Sequence, residues 1–309
     1  MKHSRLPLAI FAVLALIPLL TAKGVPIGGF VPLVAGRIMI FAIAAMSLDL
    51  ILGVGGLPSF GHAAPVAIGA YAVAILDAAG IGNALVVVPV ACLAAGLFAL
   101  ATGAVALRTR GINFIMITLA FAQMIYFGLG SLSDYGGDDG ATISQRTDLA
   151  GLRVLDGRGL YIATLIVLVA VWLLLRMIVR TRFGRVLSAC RQNRGRVEAL
   201  GYNAYAIELS ALVIASVIAA IAGVLLANEA EFVSPAYAAW GRSGGLMVMV
   251  ILGGVGSLHG AVLGAAAVVL FEEGVGRLTS HWPLIFGPTM VLAVLFLRRG
   301  FAGIGGRRG

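Results

Sequence analysis

The sequence predicts an all-α integral membrane protein, a polytopic helical bundle of about eight crossings plus a broken or re-entrant segment near residues 244–271. Three observations carry this. The chain is 61% hydrophobic and only 11% charged, with a mean hydropathy of +1.05, whereas a soluble domain of this length carries about a quarter charged residues. Its apolar residues fall in runs long enough to span a bilayer, which takes about 20 residues each. The 42 glycines suit helices that approach closely in lipid.

The runs follow in order at 6–22, 31–52, 62–79, 84–107, 112–130, 160–179, 206–227, 244–271 and 283–297. All read as helices, because open strands leave backbone groups unpaired in lipid. The first, preceded by Lys2 and Arg5, imitates a secretory signal. Thr21-Ala22-Lys23 is a poor cleavage site, so a retained helix is expected. Charge then orients the rest. With the N-terminus inside, Arg108 and Arg110 fall inside, the acidic loop 131–159 outside, and Arg176 to Tyr205 inside. That last stretch holds Arg176, Arg180, Arg182, Arg185, Arg191, Arg194 and Arg196 against one acid, Glu198. Short loops rich in Arg stay in the cytoplasm. The stretch is long enough for a helix of its own and is a candidate docking surface for a soluble partner.

A single crossing at 244–271 would leave Arg298, Arg299, Arg307 and Arg308 outside. Gly253-Gly254-Val255-Gly256-Ser257-Leu258-His259-Gly260 supplies the remedy by breaking that run into two short helices, which puts Glu272 and Glu273 outside and both termini in the cytoplasm. A similar interruption, Gly55-Gly56-Leu57-Pro58-Ser59-Phe60-Gly61-His62, occurs early. Aligning the two suggests an internal repeat, and broken helices in corresponding places point to a substrate pathway. The candidate pathway and broken-helix residues are therefore Asp49, Gly55, Gly56, Ser59, Gly61, His62, Gln123, Gly253, Gly254, Gly256, Ser257 and His259. Four of them have a plainer reading. Asp49 suits a snorkelling or capping carboxylate near the inner end of its helix, His62 and His259 suit hydrogen-bonded anchors, and Gln123 suits a contact between helices.

Several chemistries are excluded or disfavoured. The only lysines are Lys2 and Lys23, and no G-x-x-x-x-G-K-[ST] occurs, so there is no P-loop. His3, His62, His259 and His281 are scattered, no H-E-x-x-H is present, and neither a metal nor another cofactor is expected. Cys92 and Cys190 make no disulfide framework. The net charge of +9 lacks the interleaved aromatics of a nucleic-acid surface; it reads as a set of topology determinants and a surface for anionic lipid or a partner. Few ionisable residues lie deep in the runs, so uphill transport needs energy from a partner. Gly241-Arg242-Ser243-Gly244 fits the G-x-S-G of rhomboid-like intramembrane proteases, with His259 or His281 as base, but their upstream His/Asn companions are missing. A self-sufficient channel is a further alternative.

Ser47-Leu48-Asp49-Leu50-Ile51-Leu52-Gly53 through Ser59-Phe60-Gly61-His62-Ala63-Ala64, with Ile68-Gly69-Ala70-Tyr71, resembles the signature of the membrane subunits of branched-chain amino-acid ABC importers. Arg110-Gly111-Ile112, Phe114, Met116 and Thr118-Leu119-Ala120-Phe121-Ala122-Gln123 are similar to that family's next helix. Phe183-Gly184-Arg185, Arg191, Asn193 and Glu198-Ala199-Leu200-Gly201 resemble its cytoplasmic coupling loop, and Phe232-Val233-Ser234-Pro235 and Leu252 to His259 continue the likeness, which covers roughly residues 35 to 295. The resemblance implies a single transmembrane permease domain over 1–309, with an ATPase-coupling loop at 181–205 and a periplasmic loop at 131–159. It also implies two ATP-binding subunits, a second homologous permease, a periplasmic substrate-binding protein, and a place in a bacterial inner membrane. Pro65-Val66 stand where relatives carry two aromatics, so urea, short amides and aromatic acids stay open as substrates beside branched-chain amino acids.

Overall fold

The computed structural model describes residues 30–148, 157–277, 284–285, 287–289 and 300–301. The first apolar run, most of the last, and the arginines of the C-terminal tail lie outside the described residues. Nine longer helices are described: α1 (Phe30–Asp49, extended by a π turn Leu50–Val54), α2 (Ala63–Ala78), α3 (Ala84–Ala106), α4 (Ile112–Gly130), α5 (Arg158–Arg180), α6 (Arg182–Ala199), α7 (Ala204–Ala230), α8 (Trp240–Gly253) and α9 (Leu258–Gly276). Six of them are long and apolar enough to cross a membrane: α1 with its π turn, α3, α4, α5, α7 and α9. The described sheet is one antiparallel pair, β1 (Ala141–Thr142) on β2 (Phe232–Val233). The chain is thus a polytopic helical membrane bundle.

Side-chain size, more than polarity, decides which helix face turns inward. On α3, Ala84, Val87, Ala91, Ala95, Ala99 and Ala106 are buried, while Leu85, Leu93, Leu97 and Leu100 stay exposed. Without a hydrophobic drive between helices in lipid, close backbone packing brings them together, and small residues permit it. The α3 stripe lies along α7, where Gly103 faces Leu209 and Leu212. On α2, a side chain at Gly69 would strike the Ala220 carbonyl, and one at Gly223 of α7 would strike that of Val66. The centre is α1, whose most apolar window is 83% buried, against 17% for α4 at the periphery.

The interruption expected near 244–271 is present, and it closes a hairpin. Gly254 and Gly256 adopt φ of 110° and 83°, conformations that suit glycine, and Ser257 caps α9 by accepting from Gly260 N at 3.3 Å. α8 and α9 run antiparallel: Gly253 packs on Gly260, and Gly264 on the Met249 carbonyl. With 14 residues, α8 extends only about 21 Å, short of the ~30 Å hydrocarbon core. The run at 62–79 is also short. Its helix, α2, has 16 residues and begins inside the bundle.

A long helix, a short helix, a Gly-containing turn with a cap, and a second long helix occur twice, as α1–α2–α3 and α7–α8–α9. α3 packs along α7 as α9 packs along α1. The triplets run in opposite directions, because Arg37 near the start of α1 reaches Glu229 and Glu273 at the ends of α7 and α9. This corrects the alignment of the Gly55 and Gly253 interruptions. The counterpart of the 254–257 turn is Gly80–Asn83, where Gly80 has φ 75° and Asn83 caps α3.

The close α2–α7 contact gives a direct test. Gly223→Val should lower the unfolding temperature of the detergent-solubilised protein by several degrees, since overpacking costs about 1–3 kcal/mol. Gly128→Ala, where a Cβ meets nothing within 4 Å, should not. Equal melting of the two variants would contradict this packing.

Candidate functional site

Two regions gather the residues singled out above: helix α6 at one end of the bundle, and the broken backbone directly over it.

α6 is two helices in succession. Asn193 leaves helical geometry (φ −159°, ψ 99°), and its Oδ1 accepts from Arg196 N at 3.0 Å, capping the segment that follows. Glu198 and Ala199 are exposed on that short segment. It ends in a Schellman arrangement: Gly201 N donates to Glu198 O, Tyr202 N donates to Val197 O, and Gly201 takes φ 85°. Leu200 and Tyr202 project at the turn, 71% and 49% exposed, an unusual place for large apolar side chains at a polar helix end. Gly184 is buried where α6 folds back on α5; a Cβ there would meet the Val179 and Ile178 backbone. Phe183 packs against the core and Arg185 is exposed. Burial pushes the Cys190 thiol above its usual range, with Glu208 and Glu198 adding to the effect, which fits a core-filling thiol.

An ionic network fastens α6 to the bundle. Arg110, ahead of α4, donates to both carboxylate oxygens of Glu208 on α7, at 3.0 and 2.9 Å. Arg194 bonds Glu198 at 2.6 Å and approaches Glu208 at 3.5 Å. The Glu208 side chain is 1% exposed, and burying it unpaired would cost several kcal/mol, on the order of 3–5. Sequence reasoning passed over Glu208. The signal was there, in a single acid early in an apolar run opposite an arginine that opens another.

Above α6, the two Gly-rich interruptions touch each other. The Arg191 guanidinium donates to the Gly53 carbonyl, and the Arg191 stem packs on Gly56. Arg191 therefore turns toward the protein. Gly55 sits beside the Ile51 carbonyl and Leu187 of α6. Asp49, fully buried, accepts from Gly256 N at 2.7 Å. The snorkelling reading of Asp49 gives way to that of a buried cap, holding the α8–α9 turn against the π turn of α1. A Cβ on Gly53 would collide with both the Asp49 carboxylate and Gly256 N, so glycine is required there.

From this junction the chain climbs irregularly through 55–62 to the start of α2. Ser59 Oγ accepts from Gly61 N at 3.1 Å. Gly61 lies against the Thr118 carbonyl of α4, too close for a side chain. His62 is buried, with Nε2 2.7 Å from Ser47 Oγ, which itself donates to Ala44 O. Ser243 Oγ, buried in the first turn of α8, accepts from Ala63 N at 3.0 Å. The serine offered as a protease nucleophile thus caps α2, and of the two histidines offered as its base His281 lies outside the described residues. His259 stands 3.2 Å (Nε2) from Ser257 Oγ. Gln123 lies apart on α4, with a buried Oε1 that accepts no hydrogen bond among the described residues. Among the described residues, no group of three or more His, Cys, Asp or Glu could hold a metal ion.

The family described as "Branched-chain amino acid transport system / permease component" matches residues 32–297. The chain is 27% identical over 294 residues to the high-affinity branched-chain amino acid transport system permease protein LivM of Escherichia coli, covering 86% of this chain and 68% of that protein. The Salmonella typhimurium protein of the same name is 26% identical over the same shares. A probable branched-chain amino acid transport permease protein LivM of Methanocaldococcus jannaschii is 27% identical over 271 residues, covering 75% of this chain and 77% of the relative. No solved structure matches. With the family match running from within α1 to beyond α9, this chain belongs to the permease components of branched-chain amino acid transport systems.

Proposed function

We propose that this chain is the membrane-spanning permease subunit of an ATP-driven importer that carries branched-chain amino acids across the bacterial inner membrane. The observation that carries this reading is α6. It ends in a short helix capped at both ends, with Leu200 and Tyr202 exposed at its turn, and it is bonded to α1 through Arg191 and to α7 through Arg194. Such an element suits a docking groove on an ATPase, and its bonds suit the transmission of force. Residues 181–205 are the coupling loop on this reading, with Phe183, Gly184, Arg185, Arg191, Asn193, Glu198, Ala199 and Gly201 shaping it. Two ATP-binding subunits dock there, a second homologous permease lies alongside in the membrane, and a periplasmic binding protein delivers substrate near 131–159. Both termini are cytoplasmic.

The mechanism is alternating access. ATP-driven closure of the partners displaces α6, Arg191 carries the displacement to Gly53, and Asp49 passes it to the α8–α9 turn. The half-helices α2 and α8, linked through Ala63 and Ser243, then shift against the long helices. Pro65 and Val66 are buried at the start of α2, so the substrate assignment is tested by competing leucine uptake with urea, short amides and aromatic acids.

Three outcomes are expected. A mild-detergent pull-down of the tagged chain from its native membranes should bring down P-loop ATPases and a second permease; a chain that purifies alone and is active would refute the reading. Gly201→Val, which places a β-branched residue at φ 85°, should cut uptake by about tenfold or more with normal membrane abundance, the αL strain being about 1–2 kcal/mol. Full uptake by that variant would remove 181–205 from the mechanism. A periplasm-only reporter fused after Gly309 should be silent; a signal would place the C-terminus outside.

A further inference from the structure

At the end of the bundle opposite α6, charges from α1, α7, α8, α9 and the connecting turn converge. Arg37 of α1 donates to Glu273 at 2.8 Å, and its Nε lies 3.7 Å from Glu229 Oε2, too far for a hydrogen bond. The Glu229 side chain is 8% exposed, yet neither carboxylate oxygen accepts a hydrogen bond among the described residues. Glu272 feels Arg242 of α8 as well as Arg37. Tyr237, in the turn that leads into α8, feels Arg242, Glu229 and Arg37. Arg146 bonds Glu231 at 2.6 Å at the rim and also acts on Glu229. Ion pairs of Arg37 with Glu229 and Glu273, and of Arg146 with Glu231, thus lie together at this end, with Glu272 and Arg242 acting on the same group.

Purely structural ion pairs do not explain this arrangement. A buried carboxylate without a donor is costly, and charges within membrane helices face a bundle interior or a water-filled path. Arg37 is 41% exposed, which in lipid would be costly, so that face belongs to water. The buried carboxylate, Glu229, has only its loose pair with Arg37 and no closer donors among the described residues. An ammonium supplies three. A guanidinium fork held beside it is suited to a carboxylate.

We propose that Glu229 and Arg37 form an entry site for the zwitterionic end of a free amino acid, Glu229 taking the α-ammonium and Arg37 the α-carboxylate. Arg37 exchanges Glu273, which is 25% exposed and able to return to water, for the ligand carboxylate. The partly buried Tyr237 ring offers a surface to the apolar side chain. The site reads the backbone groups shared by all α-amino acids and leaves discrimination between side chains elsewhere. The inference rests on the importer reading above and on its orientation, in which this end faces outward.

The test uses the complex purified with its ATPase partners, in proteoliposomes supplied with the binding protein. Leucine uptake by the wild-type complex is the control: without it the importer reading fails and this site falls with it, whereas with it only the site is judged. Leucine at millimolar concentrations should raise the unfolding temperature of the wild-type complex, while 3-methylbutylamine and 4-methyl-2-oxopentanoate, each lacking one charge, should not. Glu229→Gln should abolish that protection and lower uptake by about tenfold or more, the effect of losing one charge-assisted hydrogen bond, with ATP hydrolysis retained. The neutral double variant Arg37→Gln/Glu229→Gln separates the readings. It should remain as defective as Glu229→Gln if the pair binds substrate. Recovered uptake in the double variant, or equal protection by the singly charged analogues, would make the cluster a structural latch and overturn the proposal.

Discussion

Backbone that is not helical has nowhere to hide inside a bilayer, because no water is present to satisfy its amides and carbonyls. Where this chain leaves helical geometry against the bundle, as at 55–62 and 254–257, the surrounding side chains are arranged to meet the freed groups. Asp49 receives Gly256 N, Ser243 receives Ala63 N, Ser59 receives Gly61 N, and Arg191 covers the Gly53 carbonyl. Once those bonds are required, the glycines follow, since Gly53, Gly61 and Gly253 leave no room for a Cβ where backbones must meet. The polar residues that looked like candidates for chemistry serve first as substitutes for absent water.

The same bonds tie the breaks to the rest of the bundle. α6 lies beneath the two interruptions, fastened by Arg191 above and by the Arg110–Glu208–Arg194 network alongside. Close-packed helices do not deform continuously; they shift between discrete arrangements. A push on α6 therefore has a short route into the half-helices, through contacts that are few, polar and directional. On the proposed orientation, the charge cluster around Glu229 marks the other end of that route, and α1, α7 and α9 run the full distance between them.

The membrane class, the helical runs and the break near 254–257 were legible because they are local. Length and hydropathy set the runs, and Gly-Gly-Val-Gly followed by a serine cap is a turn signal within a few residues. Gly201 stood out only within the coupling-loop resemblance; its left-handed φ of 85° stops the helix at an exposed polar end. Other features were not legible. The run at 62–79 gives no sign that its helix starts inside the bundle, because apolar length alone does not reveal depth. Arg191 was legible as a coupling-loop residue, but not its contacts with Gly53 and Gly56, which lie far away in the chain. The repeat was aligned one link out of place, since Gly-rich segments resemble one another whatever turn they make.

By itself the sequence determined that this chain is a helical membrane protein, where the described membrane helices lie, where the chain breaks between them, and which loop carries the cations. Each of these follows from composition and spacing within a single segment. Tertiary structure alone decided which charges pair and which breaks meet. Asp49 and Gly256 are 207 residues apart and Arg37 and Glu273 are 236, and no local rule couples residues at that distance. Their pairing is fixed by two inverted triplets of helices, whose packing depends on small side chains fitting against one another in three dimensions.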